Sequence, residues 1–257
     1  MEITTEMIKQ LRDETSVSVM QCKKALEEAG GDTEKALMIL KKKSSEIAQK
    51  KSDREASQGL FVVKNDGVRA ILVRLNCETD FVAKNSDFID LANKITEEAF
   101  KDGVEAGKAY AQEAIPSIVQ KVGENIQLGD IEEITGSVVG SYVHDGRIAS
   151  IVVLSGGTMD VSKDIAMHIA AMNPEYKQKS DIPSDMLEKA REMFTKEVSE
   201  SGKPQDIQEK MLQGKIDSYF KELTLLDQPF FKNPDITIGG LLEKNNATID
   251  TYLRVSL

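Results

Sequence analysis

Tryptophan is absent from this chain, and cysteine and histidine occur only twice each. Cys22 and Cys77 lie in different segments, so they make neither a disulfide framework nor a zinc spacing. His144 falls at a turn. His168 lies in the apolar run IAMHIAAM, where a packing histidine is the ordinary reading. There is no Ser-His-Asp elbow, no glycine-rich phosphate loop and no metal-ligand spacing, so no metal or cofactor is expected. A catalytic reading would have to rest on Asp80 and His144, and nothing in the sequence ties those two together. Long apolar runs are missing too. None approaches the roughly 18 residues that span a bilayer. The acidic, amphipathic start, MEITTEMIKQ, has neither the basic region nor the apolar core of a signal peptide.

Positive charge is in deficit. Lys and Arg number 33 against 43 Asp and Glu, for a formal net charge of -10. Such a surface repels phosphate backbones and anionic membranes, so neither nucleic acid nor a membrane is expected as a direct partner. A soluble, cytoplasmic protein is the expectation. What is present is enough apolar material, 40% of 257 residues, for one large domain or two or three small ones.

Residues 1 to about 45 read as three short helices. Thr4 or Thr5 caps the first, which buries Ile8 and Leu11. The second carries Cys22, Ala25, Leu26 and Ala29 at helical spacing and stops at Gly30-Gly31. Asp32 caps the third, with Ala36, Leu37 and Leu40 inward. The basic, serine-containing stretch KKKSSEIAQKKSDREASQ reads as a helix tail and then a linker.

An internal echo follows. GLFVVKNDGVRAILVRL and GSVVGSYVHDGRIASIVVL each read as two strands around an Asx-Gly turn. An amphipathic helix follows each hairpin, at DFIDLANKI and DIAMHIAAM. This suggests a duplicated hairpin-plus-helix unit around small antiparallel sheets. From Pro183 to Leu223, two apolar stripes flank a break at Ser201-Gly202-Lys203-Pro204, the pattern of an antiparallel helical hairpin. A short helix and a closing strand complete the chain.

One segment does not fit a plain connection. In TDFVAKNSDF, residues 79 to 88, Phe81 stands between Asp80 and the polar run Lys84-Asn85-Ser86-Asp87, just past a strand end. The second unit has SGGTMDVSKD there. The framework repeats and the phenylalanine does not. Cys77, two residues ahead of the motif, reads as a small buried residue.

The segment NCETDFVAKNSDF resembles the signature of the elongation factor Ts family. CKKALEEAGGDTEKA, GSYVHDGRI, DIAMHIAA, SGKP and DQPF match the same family in the right order, so the resemblance covers essentially the whole chain. It implies an α+β fold: an N-terminal three-helix ubiquitin-associated-like bundle with its linker (1–54), then two related α+β subdomains (55–137 and 138–257). An antiparallel helical hairpin (183–223) is inserted in the second. It implies a guanine nucleotide exchange factor, without catalytic chemistry of its own, for the GTPase elongation factor Tu in its GDP-bound and nucleotide-free forms. It places Thr79, Asp80, Phe81 and Val82 against the Mg²⁺ and phosphate side of that GTPase. Arg12, Val19 and Met20 of the bundle, and Tyr142 and His144 of the second unit, become further contacts. Two departures stand out. Thr15-Ser16-Val17-Ser18-Val19-Met20-Gln21-Cys22 replaces the usual Thr-Gly-Ala-Gly-Met-Met-Asp-Cys, and GENIQLGD lacks a basic pair that many members carry. The alternative is a ubiquitin-associated-like adaptor without exchange activity.

Overall fold

A computed structural model describes residues 3–15 and 17–257. Ser16, in the atypical loop, lies outside the described residues. The chain forms two units: residues up to Ile134 with Val143–Ala149 and Val255–Leu257, and Thr135–Tyr142 with Ser150–Arg254.

The first unit opens with α1 (Thr5–Thr15), α2 (Val19–Glu28) and α3 (Thr33–Lys51). Local capping chemistry fixes where they start. Thr4 Oγ1 accepts the Met7 N–H at 3.3 Å. Ser18 and Gln21 form a reciprocal capping box at α2. Asp32 accepts the Lys35 N–H at 3.0 Å, and that bond holds its carboxyl below the usual range. Leu11, Val17, Cys22, Ala25, Leu26, Ala36 and Leu40 form a small shared core.

The third helix is longer than its apolar stripe to Leu40 suggested. It absorbs most of the basic stretch and leaves only residues 52–57 as linker. Ser44, Ile47 and Ala48 continue the inner face one and two turns beyond Leu40. Ser44 Oγ bonds Gln120 Oε1, and Ile47 and Ala48 pack onto the core of the following elements. Tertiary contact thus keeps a polar, lysine-rich segment helical.

Next come β1 (Gln58–Asn65) and β2 (Arg69–Cys77), paired antiparallel with Gln58 opposite Cys77 and Asn65 opposite Ala70. The Asp66 carboxylate accepts the Val68 and Arg69 N–H groups and closes the turn. After them run α4 (Asp80–Ala83), α5 (Ser86–Asp102), α6 (Val104–Val122) and β3 (Ile126–Thr135), with sheet order β1-β2-β3. Leu60, Ile71, Val73 and Leu75 from the sheet meet Val82, Phe88, Leu91, Ala92, Ile95 and Ala99 from the helices. The helix α6 and the strand β3 go beyond the patterns read in the sequence. The helix holds Pro116, and at Gly107 a Cβ would stand 2.7 Å from Ala99 Cβ, so the two helices touch nearly backbone to backbone.

Five more strands and four more α-helices, with two short 3-10 turns, follow among the described residues. They are β4 (Val138–His144), β5 (Ile148–Ser155), α7 (Met159–Met172), α8 (Ser184–Ser199), α9 (Gln205–Leu223), β6 (Pro229–Phe230), β7 (Asn233–Thr237), α10 (Ile238–Lys244) and β8 (Thr248–Ser256). Strand order is β4-β5-β8, with β6 and β7 forming a separate pair. Between β4 and β5, Asp145 (φ 48) and Gly146 (φ 69) both take positive φ, as a two-residue hairpin turn requires. The helices α8 and α9 run antiparallel, with Lys215 on Glu197 at 2.7 Å and Phe194 edge-on to Tyr219. Val152, Leu154, Ile165, Ile169, Leu225, Phe230 and Ile238 fill the second unit's core. His168 is fully buried there. Its Nδ1 accepts the Phe231 N–H at 3.4 Å, so the proton sits on Nε2, 2.9 Å from Gln228 Oε1. Burial depresses its pKa, and the ring is a neutral packing group.

Candidate functional site

Phe81 is 82% exposed, the most exposed large apolar side chain among the described residues. It stands on α4, a helix of one turn. Such a turn cannot hold itself, because nucleation fixes three residues for one hydrogen bond. Its Ala83 N–H bonds Thr79 O at 3.2 Å, and the Lys84 and Asn85 N–H groups that follow bend back onto Val82 O. Support comes from the residues around Phe81. Val82 points the other way and is buried in the first unit's core. Thr79 caps the turn, its Oγ1 accepting the Val82 N–H at 3.4 Å. Asp80 pairs with Lys84 at 2.9 Å, and that ammonium, with Arg147 adding a smaller effect, holds its carboxyl below the usual range. Asn85 then caps α5 through the Asp87 N–H, and Asp87 meets Lys121 at 2.7 Å.

Beneath the turn lies a three-residue segment that the sequence reading did not connect to it. The Glu124 carboxylate accepts the Thr79 N–H at 3.0 Å on one oxygen and the Thr79 hydroxyl at 2.6 Å on the other. The Gly123 carbonyl accepts from Lys51 Nζ. The Asn125 N–H donates to Glu78 Oε1 at 2.6 Å, and its side-chain amide donates to the carbonyls of Ser52 and Arg54. GEN was visible only as a string of letters. Its partners are 45 or more residues away, and no local signal points to them.

Val19 and Met20 open α2 and are exposed, Met20 at 64%. Arg12 is exposed on the last turn of α1. Tyr142 is half-buried and packs on the second unit's core. His144 is exposed, with Nε2 3.8 Å from Asp145 Oδ2. Cys77 is buried, and its thiol donates to Thr79 O at 3.1 Å. Burial first, then the charge of Glu124, pushes its pKa up to about 12, so it stays a thiol rather than a nucleophile. Among the described residues, no group of His, Cys, Asp and Glu could hold a metal ion. No helix among them is long and apolar enough to cross a membrane.

An exposed apolar ring on a braced polar turn is the distinctive feature of this surface, and comparison with known proteins shows which family the chain belongs to. The family model described as Elongation factor TS matches residues 78–257, from the residue before Thr79 to the last. The chain belongs to the elongation factor Ts family. It is 40% identical over 269 residues to elongation factor Ts of Thioalkalivibrio sulfidiphilus (strain HL-EbGR7), covering 99% of this chain and 92% of that protein. It is 41% identical over 262 residues to elongation factor Ts of Cellvibrio japonicus (strain Ueda107), covering 99% and 90%. Elongation factor Ts of Idiomarina loihiensis is 38% identical over 264 residues, at 99% and 90% coverage. The function of the family is nucleotide exchange in translation elongation, and nothing in these matches supports the adaptor alternative.

Proposed function

We propose that this protein binds elongation factor Tu carrying GDP and promotes GDP release by disturbing that GTPase's Mg²⁺ and phosphate site, after which GTP rebinds. The observation that supports this reading is Phe81: a large ring left 82% exposed on a turn whose other residues are all secured. A GTPase holds nucleotide through phosphates and Mg²⁺, and Mg²⁺ needs near-ideal octahedral ligands. A wedge that shifts the elements carrying those ligands weakens the nucleotide without touching it. Such a wedge is best rigid and apolar. Asp80 beside it, with Thr79 and Val82 as its footing, completes the contact. No residue of this chain makes or breaks a covalent bond in the process.

Burial of one Phe ring in a partner contributes about 1.5–3 kcal/mol. A thousandfold faster release needs about 4 kcal/mol. The rest must come from a wider interface, and we assign it to Arg12, Val19 and Met20 on the bundle and to Tyr142 and His144 farther along the chain. By linkage, nucleotide weakens the factor's binding as much as the factor weakens the nucleotide's, so incoming nucleotide expels the factor. The finer layout follows the same reading: a ubiquitin-associated-like bundle to residue 54, then related subdomains over 55–137 and 138–257, with the helical hairpin inserted in the second. A cytoplasmic location goes with that role.

Stopped-flow release of a fluorescent GDP from elongation factor Tu tests the proposal. Phe81→Ala should slow the maximal stimulated rate by about tenfold or more, the equivalent of its buried ring. An unchanged rate removes Phe81 from the mechanism.

A further inference from the structure

We infer that Glu124 is a positioning residue for exchange: it sets the direction of Phe81 by clamping Thr79. The inference rests on the role proposed for Phe81 and adds a residue that acts through it.

The segment that carries Phe81 is a single helical turn, too short to hold itself, so its axis is set at its ends. Val82, buried in the core, fixes the far side. The near side is Thr79. A threonine hydroxyl has one proton to donate and lone pairs to accept with. Here the proton goes to Glu124 Oε1 at 2.6 Å, while Thr79 Oγ1 itself accepts the Val82 N–H. The Thr79 backbone N–H goes to Glu124 Oε2 at 3.0 Å. One carboxylate therefore takes both donors of one residue, each on its own oxygen. Bonds to an ionised acceptor are about twice as strong as neutral ones, and two of them fix orientation as well as distance.

Glu124 is itself firmly placed. Gly123 before it ends α6 and takes Lys51 Nζ on its carbonyl, and Asn125 after it is buried and bonded to Glu78, Ser52 and Arg54. The clamp is anchored to the end of α3 on one side and to the start of β3 on the other. Without it, the cap residue keeps its helix bond but gains freedom to swing, and the ring two residues on swings with it.

The test is a double-mutant cycle on the full chain with elongation factor Tu and fluorescent GDP. The variants are Glu124→Ala, Glu124→Gln, Phe81→Ala and Phe81→Ala with Glu124→Ala. Each is also followed by thermal unfolding in circular dichroism. Glu124→Ala should lower the maximal stimulated rate about tenfold, with less change in the half-saturating concentration. Glu124→Gln, which retains one good acceptor oxygen, should fall between it and the parent chain. In the Phe81→Ala background, Glu124→Ala should add almost nothing, because the ring it aims is gone. A full, multiplicative loss in that background would show that Glu124 acts elsewhere and overturn the inference. Folded Glu124 variants of parental rate would overturn it while leaving the role of Phe81 standing. Loss of folding in both Glu124 variants would make the residue structural and overturn it as well. If Phe81→Ala alone is without effect, the proposed function falls first, and this inference with it.

Discussion

Thr79 after β2 and Thr158 after β5 stand 79 residues apart, and so do the turn residues Asn65 and His144. Each threonine side chain accepts the N–H of a valine three residues on, at 3.4 Å from Val82 and 3.3 Å from Val161. In that register Phe81 corresponds to Asp160. The core residues farther along, Phe88 and Ile165, are only 77 apart, so the first junction carries two extra residues. Those two let the chain leave the helix at Lys84 and restart on the Asn85 cap. The turn bearing Phe81 becomes a separate piece. In the second junction the same turn is simply the start of α7 and runs on to Met172. The connection ahead of it is packed flat: Gly156 sits at φ 82 with no room for a side chain against the Asn246 carbonyl. The cap and the core-facing valine meet the needs of the fold in both places. The exposed ring is extra, and it stands where the helix has been cut free.

Stability measurements sharpen that contrast. The largest effect should come from Phe88→Ala. This ring is fully buried seven residues from Phe81, and its loss should cost about 3–5 kcal/mol by urea unfolding. Phe81→Ala should change stability by less than about 0.5 kcal/mol. Equal losses at the two positions would mean that Phe81 is a fold residue and the comparison is wrong.

Gly156→Ala comes next. A Cβ there would meet Asn246 O at 2.2 Å, in a backbone conformation that disfavours L side chains, so about 2–4 kcal/mol should be lost. A neutral result would mean that the second junction is as loosely held as the first.

The smallest effect concerns His168. Burial lowers its folded pKa below the ordinary 6.5, so as pH falls through 6.5 the unfolded chain takes up the proton first. Its contribution is complete above that pH and declines as pH drops toward the folded value. Unfolding free energies between pH 5 and about 7.5 should slope more steeply in the parent chain than in His168→Gln. Identical slopes would show that the histidine carries no linked proton.

Much of this molecule was legible locally. The caps at Thr4 and Asp32 act within three residues, and the two Asx-Gly turns and the stripes of α8 and α9 repeat at short, fixed spacings. An odd phenylalanine in a polar run was visible on the same scale, and so was the family. The helix α6 was not, because its packing relies on Gly107 and tolerates Pro116, two residues that read as breaks. The last turns of α3 were hidden for a related reason: their support lies on α6, not in their own pattern.

The sequence by itself determined where the chain turns, which faces are apolar and that Phe81 has no counterpart, since each depends on residues a few positions apart. Only the tertiary structure decided that Glu124 grips Thr79 across 45 residues and that α3 continues to Lys51. Contacts of that span leave no periodicity along the chain. They exist only once the sheet and helices have brought their ends together.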